Sequence, residues 1–255
     1  MVSCIEETDI ELQSTLDEAI VVDVKITTDT AFHQAKLSKT ADYYQFEQTP
    51  RATGANVIIT SDAGDVFTFE EIEDGIYQTT EKIFGEIGRE YFLTIEHQGE
   101  EYHAESFIRR APNIDSIGFR WDPFMESYRV LYYGMDHPGR GDSYLWHIYK
   151  NGELMTDSLH KIVFTNDEMF DGQYIYGIEI DQWFNNFDLQ PDDTVTVEMH
   201  GITEDAEAFL REIYLETGGS GPAGGSSLTP TGNISGKAFG LFYASSVVRY
   251  TNVIK

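Results

Sequence analysis

The chain has one cysteine, Cys4, in 255 residues. No internal disulfide can form, so the fold must rest on burial and hydrogen bonding. Basic residues are also scarce, with 17 Lys and Arg against 44 Asp and Glu and a formal net charge of -27. A field of that sign repels nucleic acid and anionic membrane surfaces, because phosphate binding needs clustered Lys and Arg. It favours cations or, more simply, solubility. No apolar run is long enough to span a bilayer. The usual catalytic spellings are missing as well. There is no His-Glu-x-x-His; Gly236-Lys237-Ala238 lacks the hydroxyl residue and glycine frame of a phosphate loop; Gly219-Ser220-Gly221-Pro222 is flexible loop rather than a nucleophile elbow. The seven histidines, among them His137, His147, His160 and His200, show no metal-ligand spacing. No cofactor is expected.

What is present is β-sheet rhythm. Ala19 to Ile26 is rich in β-branched residues, and Ala55 to Thr60, Val66 to Phe69, Tyr91 to Ile95 and Glu101 to Ile108 follow at short intervals. Gly and Asp turns separate them, and alternation puts Tyr91, Leu93 and Ile95 on one face. This spacing predicts an immunoglobulin-like β-sandwich over 19–111. That half holds neither a cysteine pair nor tryptophan, so it is not of antibody type. Arg109-Arg110-Ala111-Pro112-Asn113 reads as a boundary. Residues 112–255 predict a second, antiparallel β-rich domain. Asn151-Gly152 signals a type I′ hairpin there. Ala206, Phe209, Leu210, Ile213 and Tyr214 recur at helical spacing, predicting one amphipathic helix over about 203–217 capped by Thr203. A Gly/Ser/Pro-rich loop (218–231) follows, and strand character returns after Phe239. The stretch from Leu189 to Tyr250 reads as the closure of this second domain, its glycines marking tight turns or close backbone approach.

Candidate sites are few. All three tryptophans, Trp121, Trp146 and Trp183, lie in the second half with Tyr132, Tyr133 and Tyr149. They are candidates for contact with a ligand or partner, since aromatics at a wet interface supply both area and hydrogen bonds; the alternative is that they fill sheet cores. Asp167, Glu168 and Asp171 faintly resemble a calcium loop. Met169 stands where an oxygen ligand is needed and Ile178 where the bidentate Glu belongs, so an EF-hand is rejected and only a looser cluster of oxygens remains. Paired carboxylates for glycoside hydrolysis are open, because sequence does not give separations.

The N-terminus and a set of motifs point further. Met1-Val2-Ser3-Cys4 resembles the tail of a bacterial lipobox, with Cys4 as the lipid-bearing residue and residues 1–18 as remnant and tether. The acidic Ile5-Glu6-Glu7-Thr8-Asp9 resembles the export signals of surface-exposed lipoproteins. Leu189-Gln190-Pro191-Asp192-Asp193-Thr194-Val195, the helix from Thr203 and Gly232-Asn233-Ile234-Ser235-Gly236-Lys237-Ala238-Phe239-Gly240-Leu241-Phe242 occur with Gly54-Ala55-Asn56-Val57, Asp62-Ala63-Gly64 and Asp74-Gly75-Ile76-Tyr77. Together they resemble the domain of unknown function 4249 family of bacterial lipoproteins. The resemblance implies a surface- or periplasm-facing outer-membrane lipoprotein beside a TonB-dependent receptor, held to the membrane by its lipid alone, and the acidic run adds the expectation of surface exposure. The leading expectation is a non-enzymatic accessory for capture or gating, with that receptor and an unknown small ligand as partners. A carbohydrate-active or other hydrolytic enzyme, and an assembly adaptor without a small ligand, are the alternatives.

Overall fold

The computed structural model describes residues 19–40, 49–181, 186–216, 230 and 232–255. The first half folds as seven strands: β1 (Ile20–Thr27), β2 (Gln34–Lys39), β3 (Asn56–Ser61), β4 (Val66–Glu73), β5 (Ile76–Thr79), β6 (Glu90–His97) and β7 (Glu100–Phe107). β1, β2 and β5 form one layer, and β4, β3, β6 and β7 the other. β4 passes between them: Thr68 and its neighbours pair with β3, and Phe69 onward pairs with β5 across a bulge at Glu71/Glu73. This is the expected immunoglobulin-like sandwich. Its core alternates as the sequence does: Val22, Val24 and Ile26 from β1 meet Tyr91, Leu93 and Ile95 from β6, all buried.

The second half repeats the connectivity. β8 (Ser116–Asp122), β9 (Ser127–Met135), β10 (Ser143–Lys150), β11 (Glu153–Leu154), β12 (Val163–Asn166), β13 (Tyr174–Glu179) and β14 (Thr194–Ile202) precede helix α1 (Glu204–Tyr214) and a last strand, β15 (Ala238–Val253). β8, β9 and β13 make one layer; β12, β10, β14 and β15 make the other, with the short β11 also on β10. By position in the chain, and leaving the short β11 out of the count, the first, second and fifth strands of each unit lie opposite the fourth, third, sixth and seventh. The Asn151-Gly152 turn carries positive φ at both residues (51° and 88°), as a type I′ hairpin requires. Thr203 caps α1 by accepting the Ala206 N–H; the α-helical part ends at Tyr214, Leu215 and Glu216 continue it as π-helix, and residue 217 lies outside the described residues. Most of the expected 218–231 loop lies outside the described residues.

The boundary near residue 111 needs correction at the chain's end. β15 is 16 residues long and serves both sandwiches. Its first half runs parallel to β1, from Ile20↔Ala238 to Thr27↔Ser245. Its second half runs antiparallel to β14, from Gly201↔Ser246 to Thr194↔Val253. Phe242 and Ala244 enter the first core, while Val248 and Tyr250 pack on the second. The stretch expected to close the second domain closes both. Strand alternation continues unbroken through the crossing, so no side chain has to change face.

The Asn-Ile-Ser-Gly motif explains how β15 is held. The Phe242 N–H and C=O point away from β1, and the Asn233 side chain meets both, at 2.9 and 2.7 Å, while also donating to Glu105 O of β7. Ser235 exchanges hydrogen bonds with the His103 backbone, and Ile234 is buried in the first core. Gly232 lies against the Gly240 carbonyl and Gly240 against the Val22 carbonyl, with no room for a Cβ at either. At the crossing, Ser246 Oγ donates to Arg109 O and accepts the Ala111 N–H, which clips the linker to the strand. Thr28 holds the same stretch through Ser245 O and the Val247 N–H.

These contacts predict that Asn233→Ala, which strips both polar groups of buried Phe242 of their partner, costs about 2–3 kcal/mol. Urea unfolding should remain one transition observed by circular dichroism and by tryptophan fluorescence, with its midpoint lowered. Two separated transitions in the wild-type protein would contradict the shared-strand fold.

Candidate functional site

The outer face of the joined sheet carries the site. Odd-numbered residues of β15 face away from the cores. Over part of this face α1 lays Ala206 and Phe209 on Leu145, Ile202, Leu241 and Tyr243. Beside the helix lies an open cleft of about 450 Å³ between the two sandwiches. Asp23, Lys25, Gln34 and Lys36 of β1 and β2 form one wall, and Thr156 to Leu159 with Ile162 form the other. Tyr243 and His147 form the floor. Its charges are mixed, and two of the chain's few lysines stand on one wall. Alternation places Asp23 and Lys25 outward because Val22, Val24 and Ile26 face the core.

From His147 the floor continues as a polar row across three strands. His147 is in register with Glu198, and Glu198 with Arg249. Glu198 Oε1 accepts from Arg249 Nε at 2.6 Å, and Oε2 accepts from Tyr149 at 3.2 Å. His200 Nε2 lies 3.3 Å from Oε2 and His147 Nδ1 lies 3.7 Å from it. Because an ionised carboxylate only accepts, His200 donates from Nε2, and its Nδ1 then takes the Ser245 hydroxyl at 3.1 Å. Arg249 also forks onto both oxygens of Asp29, beyond the end of β1. The row thus links β10, β14, β15 and the end of β1, spanning both sandwiches.

Burial pushes Glu198 up, but bonds from His147, His200 and Arg249 outweigh it and hold the carboxyl far below its usual range. Burial lowers His200 to about 4 despite Glu198. Burial, with Glu198 next to it, pushes Tyr149 up to about 12. One donor atom each from His147, Glu198 and His200 falls within 4.8 Å of the others, a set able to hold a transition metal. Arg249 already supplies a positive charge to that carboxylate through Oε1, while the two histidines face Oε2. The sequence hid this group because His147 lies 51 positions from Glu198 and 53 from His200. The readable signal was Glu198-Met199-His200 within one strand, which alternation sends to a single face.

Sequence-derived candidates fall elsewhere. Trp146 is 1% exposed; it packs edge-on against Tyr132 and Tyr144, and its Nε1–H donates to Thr165. A surface contact role for Trp146 is therefore overturned: it is core, because its position on β10 faces the second sandwich's interior. Trp121, 43% exposed, sits at the far end of β8 edge-on to Tyr128. Tyr133 faces out on β9, and Tyr149 belongs to the Glu198 row, so the aromatics do not converge on one platform. Trp183 and Cys4 lie outside the described residues. Of the three acids suspected of binding calcium, Asp167 and Asp171 come together with Asp136, whereas Glu168 points to solvent.

A family model, domain of unknown function (DUF4249), matches residues 5–251. The chain belongs to the DUF4249 family. No curated protein matches the sequence. Among solved structures, the chain is similar to the BSP domain of a biofilm-associated protein (12% identity, TM-score 0.25, 71% of this chain and 26% of that one). It is also similar to a segment of two fibronectin type III domains from chicken tenascin (14%, TM-score 0.22, 72% and 91%). A third likeness is to a DUF4785 family protein from Legionella pneumophila (12%, TM-score 0.24, 72% and 52%). At these identities and scores nothing about activity transfers. No helix among the described residues of this DUF4249 chain is long and apolar enough to cross a membrane.

The buried row gives acid sensitivity. His200 is depressed, so its contribution is complete above 6.5 and is lost as pH falls towards about 4; Glu198, also depressed, loses its contribution below 4.5. Asp181 is raised to about 6 by burial, against the pull of Arg129, and works in the opposite sense, losing its contribution as pH rises through that value. The expected net effect is a stability loss on the order of 1–3 kcal/mol between pH 6.5 and about 4. Thermal melts across that window should show a falling midpoint. The slope should flatten in His200→Gln; an unchanged slope in the variant would remove His200 from the explanation.

Proposed function

We propose that this protein is a surface-exposed outer-membrane lipoprotein that serves a TonB-dependent uptake system as a non-enzymatic accessory, capturing or gating a small nutrient. The observation that carries the reading is the cleft between two sandwiches fixed to each other by one strand. A concave site of about 450 Å³ suits a small organic molecule. Lys25, Lys36, Asp23, His147 and Tyr243 supply donors and acceptors for a polar ligand rather than an apolar one. Because β15 and the Glu198 row hold both walls in place, little ordering is needed on binding, which favours capture.

The membrane part of the reading rests on Met1-Val2-Ser3-Cys4 and the acidic run after it. A lipid on Cys4 would confine the cleft to the plane of a receptor and raise its effective concentration there. A chain with a net charge of -27 would otherwise be driven from an anionic surface.

Three outcomes follow. Cys4→Ala, expressed with its export signal in native cells, should move from the membrane to the soluble fraction, and retention in the membrane would refute the anchor. Pull-down of the wild-type protein from native membranes should recover an outer-membrane β-barrel receptor. Lys25→Glu with Lys36→Glu should abolish ligand capture by the purified assembly while leaving the thermal midpoint within a degree or so, since both lysines are outward-facing residues. Recovery of the wild-type protein as a free monomer would count against the accessory role.

A further inference from the structure

Two loops of the second sandwich bring together three aspartates that the cleft does not use. Asp136 follows β9, and Asp167 and Asp171 lie in the turn between β12 and β13. The loops are tied at the backbone: the Asp136 N–H donates to Gln173 O, and the Asp167 N–H donates to Asp142 O, each at 3.0 Å. One oxygen from each aspartate lies within 4.8 Å of the other two. Asp136 and Asp167 are 1% and 2% exposed.

The decisive atom is Asp167 Oδ2. Oδ1 of the same carboxylate accepts the Gly141 N–H at 3.1 Å, whereas Oδ2 is fully buried and has no hydrogen-bond partner. A buried carboxylate oxygen left without a partner is costly, and native structures rarely keep one without a water or ion. The other oxygens are oriented but not saturated. Asp136 accepts from Tyr144 (2.6 Å) and Gly172 (3.2 Å), and Asp171 Oδ1 accepts from Gly139 (2.7 Å). Arg140 approaches Asp171 Oδ2 only at 3.8 Å and is four-fifths exposed, so its charge is largely screened. The negative field reaches Asp142: burial raises it and Arg109 lowers it, while Asp136 and Asp167 add to the rise.

We propose that Asp136, Asp167 and Asp171 form a calcium site that fastens these two loops together. Calcium takes six to eight oxygens at about 2.3–2.6 Å in flexible geometry, so oxygens sharing one ion lie no more than about 5 Å apart, a limit that one oxygen from each of the three carboxylates meets. Magnesium demands a stricter octahedron at about 2.0–2.1 Å and keeps most of its waters, which a trio with two nearly fully buried members suits less well. Backbone carbonyls and water complete the sphere. The ion supplies the missing partner of Asp167 Oδ2 and joins β9 to the β12–β13 turn.

The test uses the full chain stripped with chelator, calcium chloride as titrant, and four proteins: wild type, Asp167→Asn, Glu168→Gln and His147→Ala. Calorimetry of the wild type should show one calcium per chain, and millimolar calcium should raise the thermal midpoint by roughly 5–10 °C over chelator. Magnesium should give a smaller shift. Asp167→Asn should lose binding and shift together, while Glu168→Gln and His147→Ala keep both. If Asp167→Asn does not fold, Asp171→Asn, at the more exposed edge of the trio, takes its place. No heat and no shift in the wild type would overturn the proposal. So would a shift that survives loss of the aspartate, one that vanishes with His147, or a preference for magnesium.

Discussion

The parallel pairing of β15 with β1 is the constraint from which the rest follows. A seven-stranded sandwich has open edges, and tandem sandwiches usually meet through a linker that leaves them free to move. Here the seventh strand of the second unit runs on for eight more residue pairs along the first strand of the first unit. Covering that edge by backbone hydrogen bonds fixes the angle between the units and creates one sheet across both. The cleft exists because of that continuity: its floor is the crossing strand and its walls are the two units on either side. Ser246, Thr28 and Asn233 then resolve a specific difficulty, which is that a strand leaving one sandwich for another exposes polar backbone at each change of neighbour.

The Glu198 row strengthens the same crossing. Replacing a buried ion pair by apolar residues is often neutral for stability, so such a row is not retained for stability alone. Its geometry is specific: Arg249 reaches from the second unit to Asp29 of the first, on the one face where α1 leaves polar residues uncovered. His200 keeps the row acid-sensitive, and His147 places an imidazole on the cleft floor. Position, charge and orientation between the units are therefore set by the same few side chains.

Much of the architecture was legible because alternation is a local signal. The strands of the first sandwich, the Asn151-Gly152 hairpin and the capped helix from Thr203 could each be read from their own residues. What stayed hidden was long-range. Nothing local distinguishes a strand that pairs with its neighbour from one that pairs with residues more than 200 positions away, as Ala238 does with Ile20. The glycines of the last stretch were correctly read as close approaches, but the carbonyl that Gly240 approaches belongs to Val22. The cleft residues were missed for the same reason. Tryptophan is conspicuous in a sequence, yet Trp146 went to the core, whereas the cleft drew on ordinary residues such as Lys25 and His147, 122 positions apart. Two of three suspected acids did meet, and their third partner, Asp136, came from a loop 31 positions upstream of Asp167.

The order in which the chain becomes available gives the shared strand a temporal meaning. The first sandwich is made early, but its edge at β1 stays uncovered until Ala238 to Ser245 have emerged. An emerging polypeptide therefore cannot finish its first half before that stretch arrives, and contacts of such separation form slowly. The same arrangement makes a lesion near the C-terminus surface as a defect at the N-terminus: losing residues 238–255 would leave β1 with a bare edge and invite pairing between molecules.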